Sequence, residues 1–250
     1  MTGNGVGADW LREFRTAARP RTVLVCFPAG GGSASAYRAL AQQIGDGYTV
    51  LAVQYPGRQD RLGEPMIADI EEMAEQVARV LPAGGSEGLA LFGHSMGATV
   101  AFETARRLEA QGHTLTRLFV SGRIAPTAPY PGRLHEAPDA ELIAELERLA
   151  DDPAAVSVLR SEPSIAELVL PAVRNDYRAV ETYTFRPGDP LRCHISAMLG
   201  DGDPTVTAEQ AGAWREHTTG DFELEIFPGR HFYLDEKVPQ VASFVAARLS

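Results

Sequence analysis

The 250-residue chain has only two cysteines, Cys26 and Cys193, and a single lysine, Lys237, among its 23 basic residues. Two cysteines set in apolar, strand-like runs are too few for a disulfide framework and read as reduced, buried small hydrophobes. Positive charge is scarce: 33 Asp and Glu outnumber Lys and Arg, for a formal net charge of −10. That balance excludes nucleic acid as a general partner, and any acidic partner would need a local basic patch. No stretch approaches the roughly 20 apolar residues needed to span a bilayer, so no membrane partner is expected. The stretch Met1 to Asp9 has no apolar segment of a secretory leader, which makes the expected location cytoplasmic. Repeats, low-complexity runs and metal-ligand spacings such as H-E-x-x-H are missing. What remains, 44% hydrophobic and 22% charged, is the composition of an ordinary globular chain. Its length reads as one domain over residues 1–250, expected to be a monomer.

Buried strands alternate with helices. Thr22–Phe27 is a continuous β-branched, apolar run of the kind a parallel strand covered on both faces requires. It stops at Pro28 and Gly30-Gly31-Gly32. A helix with Tyr37, Leu40, Ala41 and Ile44 on one face follows, then strand Thr49–Val53 and a helix predicted over Ile67–Leu81. Leu89–Gly93 is the next strand, leading into a helix to about Gln111, and Leu118–Gly122 is another strand. This order predicts an α/β fold with a mostly parallel sheet and helices on both faces. From about residue 124 to 190 strands give way to helices, Ala140–Ala150 and Ser164 to about Tyr183, an insertion placed where a lid would sit. The sheet resumes at Cys193–Leu199 and Phe222–Phe227, separated by a helix over Ala208–His217, and a helix over Asp235–Leu249 closes the chain. Asp9–Phe14 reads equally as an edge strand or a helical turn.

Strand, Gly93-His94-Ser95-Met96-Gly97 and helix together form the context of a nucleophile elbow. Ligands of open parallel sheets bind at the carboxyl ends of the strands, and Ser95, an aspartate and a histidine emerge there in the chain order of an α/β-hydrolase triad. Among six histidines, His94 points away from the serine by strand alternation. His113, His135 and His194 precede the acidic loop. His217 ends a helix, on its expected solvated side. His231, in the loop after Phe227, is the candidate base. For the acid, Asp203 is preferred because it lies further into the loop after Leu199, with Asp201 as the alternative. The expected oxyanion donors are the backbone N–H groups of Met96, at a helix start, and Ala29, the first residue after Pro28 able to donate. A serine nucleophile of this kind needs neither metal nor cofactor. The triglycine is not a phosphate loop, since no G-K-[ST] follows.

Nearly the whole chain resembles the type II (external, discrete) thioesterases that accompany modular polyketide synthases and nonribosomal peptide synthetases. The resemblance rests on Cys26-Phe27-Pro28 with its glycines, Gln54 to Arg61, Phe92 to Ala98, Ser121-Gly122-Arg123, Leu170 to Tyr177, Gly200-x-x-Asp203 and Gly229-x-His231-Phe232. The family's Gly-x-x-Asp pattern falls on Asp203, and the insertion matches its helical lid. One departure is Leu149 to Pro153, where relatives often carry a glycine pair, which bears on lid flexibility and chain preference. The resemblance implies hydrolysis of acyl groups thioester-linked to the phosphopantetheine arm of acyl or peptidyl carrier domains, clearing stalled or misprimed units. The arm is part of the substrate, and Arg58, Arg61 or Arg123 would meet its phosphate. The rival readings are a general serine carboxylesterase or acyl-CoA hydrolase, and a non-catalytic carrier-binding module. Phe27-Pro28-Ala29 in place of an H-G-G-G loop disfavours the esterase.

Overall fold

The computed structural model describes residues 9–81, 87–128, 130 and 132–249; the N-terminal stretch read above lies outside them up to Ala8. Seven strands form one sheet: β1 (Leu11–Arg15), β2 (Thr22–Phe27), β3 (Tyr48–Val53), β4 (Gly88–His94), β5 (Arg117–Ser121), β6 (His194–Gly200) and β7 (Phe222–Phe227). Their order is β1-β3-β2-β4-β5-β6-β7, with only β1 antiparallel. The undecided segment near the N-terminus is thus an edge strand, paired from Leu11 to Val53.

The central strands are apolar throughout because each face of the sheet has its own core. Val25, Phe27, Leu91, Leu118 and Val120 point to one side, against α2 (Ile70–Val80) and α3 (Met96–Ala110). Their neighbours Leu24, Cys26, Ala90, Phe92 and Phe119 point to the other, against α1 (Arg38–Gln43) and the C-terminal helix. This is the period-2 alternation of a strand expressed on two buried faces.

Several helices differ from their predicted bounds for local reasons. The helix expected over 67–81 begins only at Ile70, because the Asp69 carboxylate accepts from the Glu72 N–H at 2.8 Å and caps it there. The C-terminal helix is two, α9 (Tyr233–Glu236) and α10 (Val238–Arg248), with Pro239 in the first turn of the second. The helix expected to reach His217 is α-helical only over α8 (Ala208–Gly212) and tightens to 3-10 geometry over Ala213–His217. Tyr37 likewise ends a 3-10 turn before α1.

Between β5 and β6 lie α4 (Asp139–Leu149), α5 (Pro153–Val156), α6 (Val158–Ser161) and the 20-residue α7 (Pro163–Thr182). The two short helices were not legible in the sequence. Leu142, Ile143, Leu159, Leu170 and Val173 give this insertion an apolar cluster of its own, as a lid requires. Among the described residues no helix is long and apolar enough to cross a membrane.

The register decides what happens next. Phe27 pairs with Gly93, His94 with Ser121, Ser121 with Met198, and Gly200 with Phe227. Strands β2, β4, β5, β6 and β7 therefore end near one level, and the five loops that follow open at the same edge. Phe92 lies at the centre of this sheet, fully buried between the rings of Tyr37 and Phe119. Phe92→Ala is expected to cost about 3–5 kcal/mol in a urea unfolding titration, the usual range for a large core truncation.

Candidate active site

Ser95 sits between β4 and α3 with φ 54° and ψ −122°, a backbone conformation that side-chain-bearing residues rarely adopt. Two close approaches hold it there. A Cβ at Gly93 would lie 2.2 Å from the Gly97 carbonyl oxygen, and one at Gly97 would lie 2.1 Å from the Phe27 carbonyl oxygen. Only glycine fits either position, so the elbow packs directly against the loop that follows β2. The Ser95 N–H donates to the Ser121 carbonyl at 2.8 Å, tying the turn to β5.

His231 and Asp203 meet as the sequence indicated. His231 Nδ1 is 2.8 Å from Asp203 Oδ2, with the His231 side chain 2% exposed and that of Asp203 fully buried. Asp203 Oδ1 accepts from the Thr205 N–H at 2.8 Å and from its hydroxyl at 2.7 Å. Burial alone would raise the Asp203 pKa, but the His231 contact and the two Thr205 donors outweigh it, so the carboxyl titrates below its ordinary value. Asp201 does something else. It accepts the Gly229 N–H at 3.0 Å and so splints the loop carrying His231. The choice between the two aspartates is settled geometrically in favour of Asp203 as the partner of His231.

Ser95, Met96, Ala29 and His231 line one cavity of about 40 Å³, room for a few waters. Its roof is the lid: Leu146 and Leu149 from α4, and Asp176, Tyr177 and Val180 from α7. Among the described residues the Ser95 hydroxyl makes no hydrogen bond to His231. Beyond Ala29, Gly30, Leu146 and Phe232 lies a second, mainly apolar cavity of about 320 Å³. The Asp151-Asp152 pair also has an explanation. Asp151 Oδ1 accepts the Arg230 N–H at 3.2 Å, and Asp152 caps α5 through the Ala154 N–H at 2.9 Å. Together with the Arg230 guanidinium on the Arg148 carbonyl, this ties the end of α4 to the loop of His231.

His94 was legible only as a residue turned from the serine. Its ring lies 4.9 Å from that of His231, and its Nδ1 is 2.9 Å from Ser121 Oγ, itself 2.7 Å from the Tyr233 hydroxyl. Burial, then the proximity of His231, push its pKa down to about 3, so it stays neutral beneath the candidate base. His217 is not on a solvated face: it is buried among Phe102, Phe185 and Trp214, and burial lowers its pKa. All three arginines expected to meet phosphate are buried. Arg58 is paired with Asp176 at 2.6 Å. Arg61 binds Glu64 and donates to the Gln54 carbonyl at 2.8 Å. Arg123 alone lines the cavity of Ser95, with Nε donating to Thr99 at 3.0 Å and its guanidinium over the Tyr130 ring.

A strained serine, a buried Asp–His pair and amides at a helix start are the parts needed for acyl transfer through a serine ester. A model of the thioesterase domain matches residues 22–249. The chain belongs to the thioesterase family. This thioesterase is 40% identical over 254 residues to Thioesterase PikA5 of Streptomyces venezuelae, covering 100% of this chain and 89% of that protein. It is 41% identical over 248 residues to a probable cadicidin biosynthesis thioesterase of Streptomyces griseus, covering 99% of this chain and 68% of that one. Among solved structures, the type II thioesterase BorB of the borrelidin biosynthetic cluster shares 44% identity and a TM-score of 0.88, each chain covered in full. The α/β-hydrolase fold with its helical lid is thus that of the type II thioesterases it resembles.

The neutral, buried His94 gives the thioesterase a pH-dependent stability. Between its folded pKa of about 3 and the ordinary value of 6.5, the unfolded chain binds a proton that the folded one refuses. The contribution is complete above pH 6.5 and is lost as pH falls. Unfolding free energy should drop by about 2 kcal/mol from this residue between pH 7.5 and 5. Urea titrations of His94→Gln should show a correspondingly shallower decline than wild type.

Proposed function

We propose that this thioesterase hydrolyses acyl groups held as thioesters on the phosphopantetheine arm of acyl or peptidyl carrier domains, freeing carriers blocked by stalled or misprimed units. The observation carrying this reading is the strained Ser95 sharing one lid-roofed cavity with the Asp203–His231 pair. The relatives named as biosynthesis thioesterases support the carrier-bound substrate. Transient docking to such carriers, in an assembly line of polyketide or peptide type, is part of the proposal.

In the proposed reaction His231 takes the Ser95 proton as Oγ attacks the thioester carbon. The tetrahedral oxyanion rests on the N–H groups of Ala29 and Met96, the latter favoured by the start of α3. Collapse breaks the C–S bond, and the imidazolium gives its proton to the leaving thiolate. Water, deprotonated by His231, then attacks the acyl-Ser95 ester; the C–Oγ bond breaks, the imidazolium returns the proton to Ser95 Oγ, and the carboxylic acid leaves. Asp203 stays ionised throughout, holding the ring and stabilising the imidazolium. The cavity at Ser95 adjoins the larger apolar one, the two sharing Ala29, Gly30, Leu146 and Phe232. The apolar cavity beyond Phe232 is then the natural place for an acyl chain, and Arg123 the remaining candidate for the arm's phosphate.

Two measurements test this. Intact-protein mass spectrometry after mixing with acyl-carrier should show an acyl adduct in wild type and none in Ser95→Ala; no adduct and no hydrolysis in wild type would return the chain to a carrier-binding role. Faster turnover of simple p-nitrophenyl esters than of acyl-carrier would favour the general esterase. Asp203→Asn should lower kcat by about 10⁴-fold, as loss of the tautomer-fixing carboxylate does, while Asp201→Asn stays near wild type.

A further inference from the structure

The loop supplying the proposed Ala29 donor contains Gly30-Gly31-Gly32, three residues with the greatest backbone freedom. An oxyanion donor works only if it is held in place before the charge develops. The loop closes on itself through one bond, Gly32 N–H to the Ala29 carbonyl at 2.9 Å. Further support comes from the lid and from Arg58. Asp176, on α7, is 1% exposed and accepts the Gly31 N–H at 2.8 Å. Arg58 binds the same carboxylate bidentately, at 2.6 and 2.9 Å, and donates to the Gly32 carbonyl at 3.1 Å. Asn175 donates to Asp176 at 3.1 Å and to the Ile67 carbonyl at 2.8 Å, fixing α7 against the segment before α2. The helix and the loop touch closely: Gly31 has φ +72°, and a Cβ there would lie 2.6 Å from Val173 Cγ2.

We propose that Asp176 is a positioning residue for the oxyanion hole, its carboxylate locked by Arg58 so that it holds the Gly31 N–H and with it the Ala29 amide. The proposal rests on the reading of Ser95 and Ala29 given above. Asp176 does not act as an acid or base: its oxygens already receive four N–H donors, from Gly31, Arg58 twice and Asn175. Nor is the pair there merely to dock the helix. Ala179 and Val180 of α7, packed in the main core, already do so, and a buried ion pair stabilises no better than well-packed hydrophobes. What the pair adds is direction, with one charge on the loop's N–H and the other on its carbonyl. The lid helix is therefore part of the oxyanion machinery as well as its roof.

Two charge-free double variants test this without leaving a charge buried and unpaired. Arg58→Met with Asp176→Leu removes both polar partners of the loop. Arg58→Gln with Asp176→Asn keeps a carbonyl that can accept from Gly31 and an amide that can donate to Gly32. Acyl-carrier hydrolysis, the pH–rate profile and the thermal midpoint are measured for each. The first double should lose about 10²-fold in kcat, as for loss of an oxyanion donor, with KM and the histidine limb of the pH profile unchanged. The second should recover most of that loss. Full kcat in the folded first double, equal losses in both, or a loss matched by a rise in KM would each overturn the proposal. Should the first double not fold, Asp176→Glu keeps the charge pair and shifts the acceptor by one methylene; a fall in kcat at constant KM supports the proposal, and unchanged kcat overturns it. Wild-type protein that hydrolyses no thioester would instead sink the reading of the site beneath it.

Discussion

Everything at the upper edge of the sheet depends on a serine held where its backbone is unfavourable by about 1–3 kcal/mol. Ser95 cannot relax into β4 or α3, because Gly93 and Gly97 have let the two elements close to within contact of each other. The same closeness brings Gly97 against the carbonyl of Phe27, so the elbow and the loop after β2 form one packed unit. The start of α3 and the Ala29 turn thus line one cavity with the hydroxyl. The register of the parallel strands then delivers the loops carrying Asp203 and His231 to the same edge. Strain, register and site are one arrangement described at three scales.

Around that unit, burial sorts the ionisable groups by their partners. Two carboxylates are fully buried near Ser95, and each is matched by donors. Asp203 is held ionised by His231 and Thr205. Asp176 is saturated by Arg58, Asn175 and a backbone amide. His94, with no carboxylate of its own, remains neutral. The polar interior is therefore a set of assigned directions: a ring held upright, a loop held in place and a second ring kept uncharged beneath the first. The lid takes part in two of them, through Asp176 at the loop after β2 and Asp151 at the loop of His231.

Much of this was present in residue order alone. Continuous apolar runs of five or six residues ending at glycine or proline mark buried parallel strands, because only such strands have both faces covered. The Gly93–Gly97 pentapeptide between strand and helix marked the candidate nucleophile, and the order Ser, Asp, His picked out Ser95 and His231 as candidates. What local pattern could not supply was any feature depending on a partner distant in the chain. Whether Leu11–Arg15 is a strand depends on an edge of β3 some 40 residues away. The burial of His217 depends on Phe102 and Phe185, and the internal pairing of Arg58 depends on Asp176, 118 residues later. Helix ends moved by a turn or less where a cap, as at Asp69, or a proline, as at Pro239, overrode the apolar periodicity.

The sequence by itself determined the layered sheet, the elbow and the choice of Ser95 and His231 as candidates, because these follow from period, from glycine's missing Cβ and from strand order. The sequence favoured Asp203 over Asp201, and the tertiary structure shows that Asp203 is the one in contact with the imidazole 28 residues on, while Asp201 holds the Gly229 N–H. The tertiary structure alone paired Arg58 internally and tied the lid to the loop after β2. A side chain's charge is written in the sequence, but the partner that satisfies it once water is excluded is set by packing.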